Sequence, residues 1–406
     1  MFRNRALTPL LVHALKTFPA IILSGARQTG KTTLLRHLFG KTHRYVLLDE
    51  PDKRLFANSD PRGFLDAHPA PVILDEIQNV PELLSFIKAR IEVDRSPGRW
   101  ILTGSQRFSL MKNISESLAG RAAVLCLNPY SLSEITGRKE KSQGFAHYLS
   151  ELLIPSQSPK EASFSLGEWI LTGGFPALWN KPAPQRTLWY SSYVQTYLNR
   201  DVRGNIREAN LMDFQRFLVW LSARTGLELN MAVASRELGI SIPTVKTWLS
   251  LLETSSLVFL LPPYHAHFGR RVIKSPKIYM MDTGLVCYLT GLQTPEHVLG
   301  SPMSGALFET AVVSNFKKKA DIFAQAPNLY FWRVVSGMEV DMILDVAGVL
   351  TPVEIKLTST ITPHHIVHLN NWRALSKSQN PALVVSQFKE ICPVGQNTIN
   401  RPWWAL

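Results

Sequence analysis

Gly25-Ala26-Arg27-Gln28-Thr29-Gly30-Lys31-Thr32-Thr33 is the stretch on which the reading of this chain turns. It holds the full GxxxxGK[ST] pattern, follows the apolar run Ala20–Leu23, and leads into the helix-compatible Thr33-Leu-Leu-Arg36. Strand, glycine-rich loop and helix form the context in which such a loop cradles phosphates. The glycines let backbone N–H groups turn inward, and the helix start adds partial positive charge. The pattern assigns Gly25, Ala26, Arg27, Gln28, Thr29, Gly30, Lys31, Thr32 and Thr33 to the phosphate contact. Within it, Lys31 reaches for the terminal oxygens and the Thr32 hydroxyl for Mg2+.

Outward from the loop, the chain alternates short apolar runs with helical stretches. Ala20–Leu23, Tyr45–Leu48, Val72–Leu74, Trp100–Leu102 and Ala122–Leu127 read as five buried strands, the βα alternation of a parallel α/β sheet. The third run ends in Asp75-Glu76, a Walker-B pattern. Asp75 is expected to hold Mg2+, mostly through water, and Glu76 to orient and activate an attacking water. The next run ends in Thr103-Gly104-Ser105-Gln106. If that strand lies between the two motif strands, Ser105 or Gln106 senses the terminal phosphate or positions water; otherwise the stretch is a plain turn. Arg121 reads equally as an arginine finger or as an ordinary surface arginine.

The chain has 406 residues, 45% hydrophobic and 18% charged, enough apolar surface for real cores and too much for a disordered protein. Lys+Arg of 44 against Asp+Glu of 31 gives a net charge of +13, which suits a polyanion such as DNA or RNA and equally a generally basic protein. Cys126, Cys287 and Cys392 are far apart, which argues against a disulfide scaffold or a cysteine zinc site. No apolar run of membrane-spanning length and no cleavage signature are seen, so the expectation is a cytoplasmic protein without membrane contact.

Beyond Pro129 the pattern changes. Glu168–Arg207 reads as helical with a turn at Gly173–Pro176. Ser235–Leu252 reads as helix, Gly239 turn, Ser241 N-cap and second helix, the shape of a helix-turn-helix, with Thr244 and Lys246 near the second start and Leu257–Leu261 as a wing strand. Ala306–Phe316 reads as a helix, and Leu329–Arg333, Glu339–Leu344 and Pro352–Leu357 as strands, the last two joined at Asp345–Gly348. Asp341, Glu354 and Lys356 form D-x12-ExK; alternation puts Glu354 and Lys356 on one face, and the hairpin brings Asp341 beside them. His265 with His267, and His364 with His365 and His368, lack a completing ligand and read as loop histidines.

On these residues the chain resembles a family of AAA-type ATPases whose C-terminal region is called DUF4143. The shared segments are GARQTGKTTL, VILDEIQ, ILTGSQ, SLAGR, LNPYSLSEI, GGFPALW, RDVRGNI, LNMAVASRELGISIPTVKTWLSLLE, LPPY, YMMDTGL, Phe308–Glu309, YFWRVVSGMEVD and VEIK. The resemblance implies an α/β fold: a P-loop NTPase parallel sheet of the AAA type with a strand between the two Walker strands, then a winged helix and a restriction-endonuclease-like domain. The expected divisions are 1–137 (ATPase core), 138–208 (helical lid or linker), 209–265 (winged helix) and 266–406 (DUF4143-like). The D-x12-ExK set is similar to the PD-(D/E)XK nuclease pattern, with Glu309 matching its additional acid. That similarity implies a second metal site of Glu309, Asp341 and Glu354 with Lys356 beside it; the alternative is a relic fold used for docking.

ATP and Mg2+ are thus the expected cofactors. Three functions follow: an ATP-hydrolysing machine or switch, an ATP-gated nuclease, and a non-hydrolysing regulator of nucleic acid or a protein partner. A homo-oligomer, with Arg121 acting across subunits, is compatible with each.

Overall fold

A computed structural model describes residues 2–105, 118–138, 144–155, 160–179, 181–197, 211–264 and 274–406. Gln106, His265, His267 and the end of the helical stretch from 198 to 207 lie outside the described residues. The chain divides into two compact units, one running to Tyr130 and taking in Thr254–Leu257, the other made of the remainder.

The first unit is a five-stranded parallel sheet: β1 Ala20–Ser24, β2 Arg44–Leu47, β3 Val72–Asp75, β4 Trp100–Thr103 and β5 Ala122–Cys126, in the order β2-β3-β4-β1-β5. Its helices are α1 Thr8–Thr17, α2 Lys31–Phe39, α3 Pro51–Ser59, α4 Pro61–Ala67 and α5 Leu83–Val93. Strands β1, β3 and β4 are buried along their whole length. Helices cover both faces of a parallel sheet, so its central strands become continuous apolar runs. Ile22, Leu74 and Leu102 pack with Phe64, Leu83, Ile87 and Ile91 of α4 and α5 in one core. Strand β4 sits between the two motif strands, as the resemblance implies. Leu74 pairs in register with Leu102, and Leu23 with Thr103, so the loop after β1, the Asp75-Glu76 pair and Ser105 all leave the sheet at one edge.

The second unit contains a six-stranded mixed sheet: β8 Asn328–Arg333, β9 Glu339–Val346, β10 Val349–Lys356, β11 Ala382–Ser386, β12 Cys392–Pro393 and β13 Thr398–Pro402, ordered β12-β13-β11-β10-β9-β8. The first three run antiparallel, and β10, β11 and β13 run parallel. Trp332, Ile343, Leu369, Trp372 and Val384 fill its core. Ahead of it, the helices Met231–Leu238 and Ile242–Thr254 meet at Gly239 (φ 70°), where Thr244 N donates to Ser241 Oγ, and β6 Val258–Leu261 pairs antiparallel with β7 Lys277–Met280.

Two of the shared motifs converge on one buried aspartate. Asp282 accepts from Gly174 N (2.6 Å), Tyr190 OH (2.8 Å) and Leu285 N (2.9 Å). A Cβ on Gly173 would lie 2.4 Å from Asp282 Oδ1, at a φ of 69°. The GGFP and DTG segments therefore hold each other in place, a role their sequence alone does not reveal.

Candidate functional site

The loop after β1 is shaped by close approach. Gly25 has φ 141°, and a Cβ there would meet Leu127 O at 2.3 Å. Gln28 (φ 63°) and Gly30 (φ 94°) are also left-handed, which turns the loop back so that α2 begins at Lys31. Gly30 is the N-cap and has no side chain to cap with, leaving the first N–H groups of α2 available to an anion. Lys31 is 6% exposed, and its ammonium donates to Gly25 O (2.8 Å) and Ala26 O (2.9 Å). Burial pushes its pKa down, while the nearby Glu76 and Asp75 charges pull it up. A triphosphate tail would add the negative charge this buried cation favours.

The two Walker motifs meet directly. Thr32 Oγ1 donates to Asp75 Oδ2 at 2.6 Å, Tyr45 OH donates to the same oxygen at 2.5 Å, and Glu76 N donates to Asp75 Oδ1 at 3.1 Å. Burial and the bond to Asp75 push the Tyr45 phenol far up, so it stays a donor, and the Arg36 guanidinium lies 3.9 Å from its ring centre. A hydroxyl and a carboxylate in contact beside a phosphate loop suit the hard, oxygen-seeking Mg2+ ion. Glu76 takes a left-handed backbone (φ 61°, ψ 44°), and its carboxylate accepts from Gln78 Nε2. The same nitrogen reaches Ser105 Oγ at 3.3 Å.

Three participants escape a sequence reading. Tyr45 and Gln78 belong to no nucleotide-loop pattern, although Gln78 stands inside the quoted VILDEIQ. Arg5 is distant in sequence: it is 6% exposed, donates to Thr29 O and Asn128 O (2.6 Å each), and stacks over Tyr130, so it braces the loop from behind. Its neighbourhood carries no motif, and only the fold brings it to the loop.

Arg121 is not brought to the site. Its carbonyl accepts from Ala20 N at the start of β1, five residues before the loop; at about 3.3 Å per residue this is roughly 16 Å from the phosphate edge. Its guanidinium pairs with Glu92 instead, Nε to Oε1 at 2.5 Å. Nothing in the residues around 121 tells which end of β5 they occupy; register does.

The C-terminal acids do converge, but around lysines. Lys356 Nζ lies 2.6 Å from Glu354 Oε1 and 3.8 Å from Asp341 Oδ2, and Asp341 Oδ2 accepts from Ile355 N at 2.7 Å. Lys277 of β7 lies between Glu309 (2.7 Å) and Glu339 (2.6 Å), and Tyr279 OH donates to Glu309 at 2.5 Å. Among the described residues, no three acid, histidine or cysteine side chains form a metal-ligand group. Asp341, Glu354 and Lys356 come together as the hairpin predicts, whereas Glu309 is held by the buried Lys277 and by Tyr279, so the expected metal set of Glu309, Asp341 and Glu354 is not gathered in one group. His365 caps a short turn instead: its Nδ1 accepts from Thr362 N.

Burial first, then the Asp341 charge, push Glu354 up to about 9, against the opposing pull of Lys356; burial also raises Glu309. Lys277 and Lys356 lose to burial but gain more from the surrounding Glu309, Glu339, Asp341 and Glu354, so both end above the ordinary lysine value. Between the ordinary carboxyl range and about pH 9 the folded chain holds a proton on Glu354 that the unfolded chain lacks, so stability falls as pH rises through that window. Both lysines stay charged across it. Thermal melting is expected to drop on the order of 5 °C between about pH 5 and about pH 9. Glu354→Gln should flatten that slope; an unchanged slope in the variant contradicts the account.

Sheet order, loop and paired motifs define a P-loop nucleotide-binding domain. Comparison with known proteins agrees: residues 17–136 match an AAA domain family model, residues 304–406 match the domain of unknown function DUF4143, and residues 163–296 match the domain of unknown function DUF8612. The chain carries an AAA domain followed by a DUF4143 region. It is similar to uncharacterized proteins of Mycobacterium tuberculosis and Mycobacterium bovis, each 27% identical over 97% of this chain and 80% of the relative. A Walker-type ATPase of Pyrococcus abyssi is similar in structure, with a TM-score of 0.43, 17% identity, and coverage of 71% of this chain and 96% of that one. Among the described residues no helix is long and apolar enough to cross a membrane.

Proposed function

We propose that the chain is a magnesium-dependent ATPase, acting as a machine or switch whose hydrolysis at the loop is coupled to the segments beyond residue 137. The observation that carries this reading is the 2.6 Å bond from Thr32 Oγ1 to Asp75 Oδ2, which joins the two motifs in one chain. Loop amides from Gly25 to Thr33 would bind the phosphates, Lys31 would neutralise charge on the terminal oxygens, and Thr32 and Asp75 would hold the magnesium ion. Bound there, magnesium supplies positive charge against the developing negative charge of phosphoryl transfer. Glu76 orients a water and takes its proton, and Ser105, 3% exposed just beyond β4, lies within reach of the same space through Gln78. The helix pair from Met231 and the β6–β7 ribbon act in this reading as a winged helix, and the +13 charge supports a polyanionic partner such as DNA or RNA.

Phosphate release from ATP tests the reading. The wild type should turn over only with magnesium present, and Asp75→Asn should release phosphate at least about tenfold more slowly. No release by the wild type under either condition overturns it.

A further inference from the structure

We infer that Gln78 is a positioning residue: its side-chain amide holds the Glu76 carboxylate at the sheet edge and ties it to Ser105. The inference rests on the hydrolysis reading and deepens it by naming what aims the general base.

Glu76 leaves β3 in a left-handed conformation, at φ 61°, and three rotatable bonds separate its carboxylate from the backbone. Nothing in β3 itself fixes that carboxylate. The turn that follows does. Ile77 is wholly buried in the core of the first unit, and Asn79 Nδ2 lies 3.4 Å from both Leu48 O and Asp49 Oδ1, so the backbone on either side of Gln78 is anchored. From this platform Gln78 Nε2 donates to Glu76 Oε2 and approaches Ser105 Oγ at 3.3 Å. The amide orientation follows from chemistry: an ionised carboxylate only accepts, so the nitrogen and not the oxygen must face it. The two hydrogens of that nitrogen allow both contacts at once.

The placement has a direction. Ser105 lies two residues beyond β4, which lies between β3 and the loop-bearing β1, so a Glu76 carboxylate drawn toward Ser105 is drawn toward the phosphate side of the sheet. Losing the amide frees Glu76 to swing away without touching the loop that binds nucleotide. A misplaced base lowers the chemical step and leaves binding intact.

The test uses the full chain with Gln78→Ala and Gln78→Glu. The second variant keeps the size of the side chain but, ionised, cannot donate to Glu76 and repels its carboxylate. Both should lose about tenfold to hundredfold in kcat, with KM and the Kd for magnesium-ATP changed by less than about threefold. In nucleotide-free protein the Gln78 side-chain amide resonance, assigned by its absence from Gln78→Glu, should shift in Glu76→Gln and in Ser105→Ala. Wild-type kcat in Gln78→Glu, or a Gln78 resonance indifferent to both neighbours, overturns the inference. A wild type that never hydrolyses ATP defeats the hydrolysis reading instead, and the amide resonance still decides whether Gln78 holds Glu76.

Discussion

Glu76→Gln should bind magnesium-ATP like the wild type and release phosphate about a hundredfold to ten-thousandfold more slowly, the range for losing a positioned general base. The argument runs through geometry. Glu76 follows Asp75 at the end of β3, at the edge where the phosphate loop leaves β1, and is half-buried. The substitution preserves volume and removes the negative charge together with the capacity to accept a proton. It leaves the loop amides, Thr32 and Asp75 in place, so the ground state keeps its contacts to the phosphates and the transition state loses its base. A loss of kcat without a change in affinity is the signature of such a residue. Phosphate release in a single turnover, set beside equilibrium binding, measures both. Turnover within about threefold of wild type would remove Glu76 from the base role.

Lys31→Ala should behave differently and weaken nucleotide binding at least about a hundredfold. A unit charge about 4 Å from an oxyanion at an effective dielectric near 20 contributes about 4 kcal/mol, on the order of a thousandfold in affinity. The fold should survive the change. Burial disfavours the Lys31 ammonium and lowers its pKa, so removing it takes away an electrostatic burden along with two bonds to the loop carbonyls. A melting temperature near that of wild type, together with lost nucleotide affinity by calorimetry, is the expected pair of results. Unchanged affinity would mean that the loop does not hold a triphosphate.

The parts of this site that sequence discloses are those fixed by local backbone chemistry. Gly25 must be glycine because Leu127 O leaves no room for a Cβ, and that requirement is written into the loop pattern. Asp75 ends an apolar strand, and strand-then-acid is visible in any linear reading. The five strands of the first sheet were legible because each is a short apolar run between polar turns, although the edge strands β2 and β5 are only partly buried where burial along the whole run was expected. What sequence hides is what register and distant packing decide. Arg5 reaches Thr29 and Asn128 only because the chain start folds behind the loop. Tyr45 reaches Asp75 because β2 pairs with β3. Arg121 reads equally as a finger or a surface arginine, and the register of β5 places it at the edge of the sheet away from its own chain's loop. At the C-terminal cluster the ExK spacing shows Asp341, Glu354 and Lys356. Lys277, about 65 residues upstream of Asp341 on β7, carries no motif that would announce its place between Glu309 and Glu339.

Calorimetric titration of the wild-type chain with ATP, once with magnesium and once with excess chelator, tests the central claim most directly. Joined Thr32 and Asp75 predict one site per chain whose affinity weakens at least about tenfold when magnesium is removed. No binding, or binding indifferent to magnesium, would contradict it.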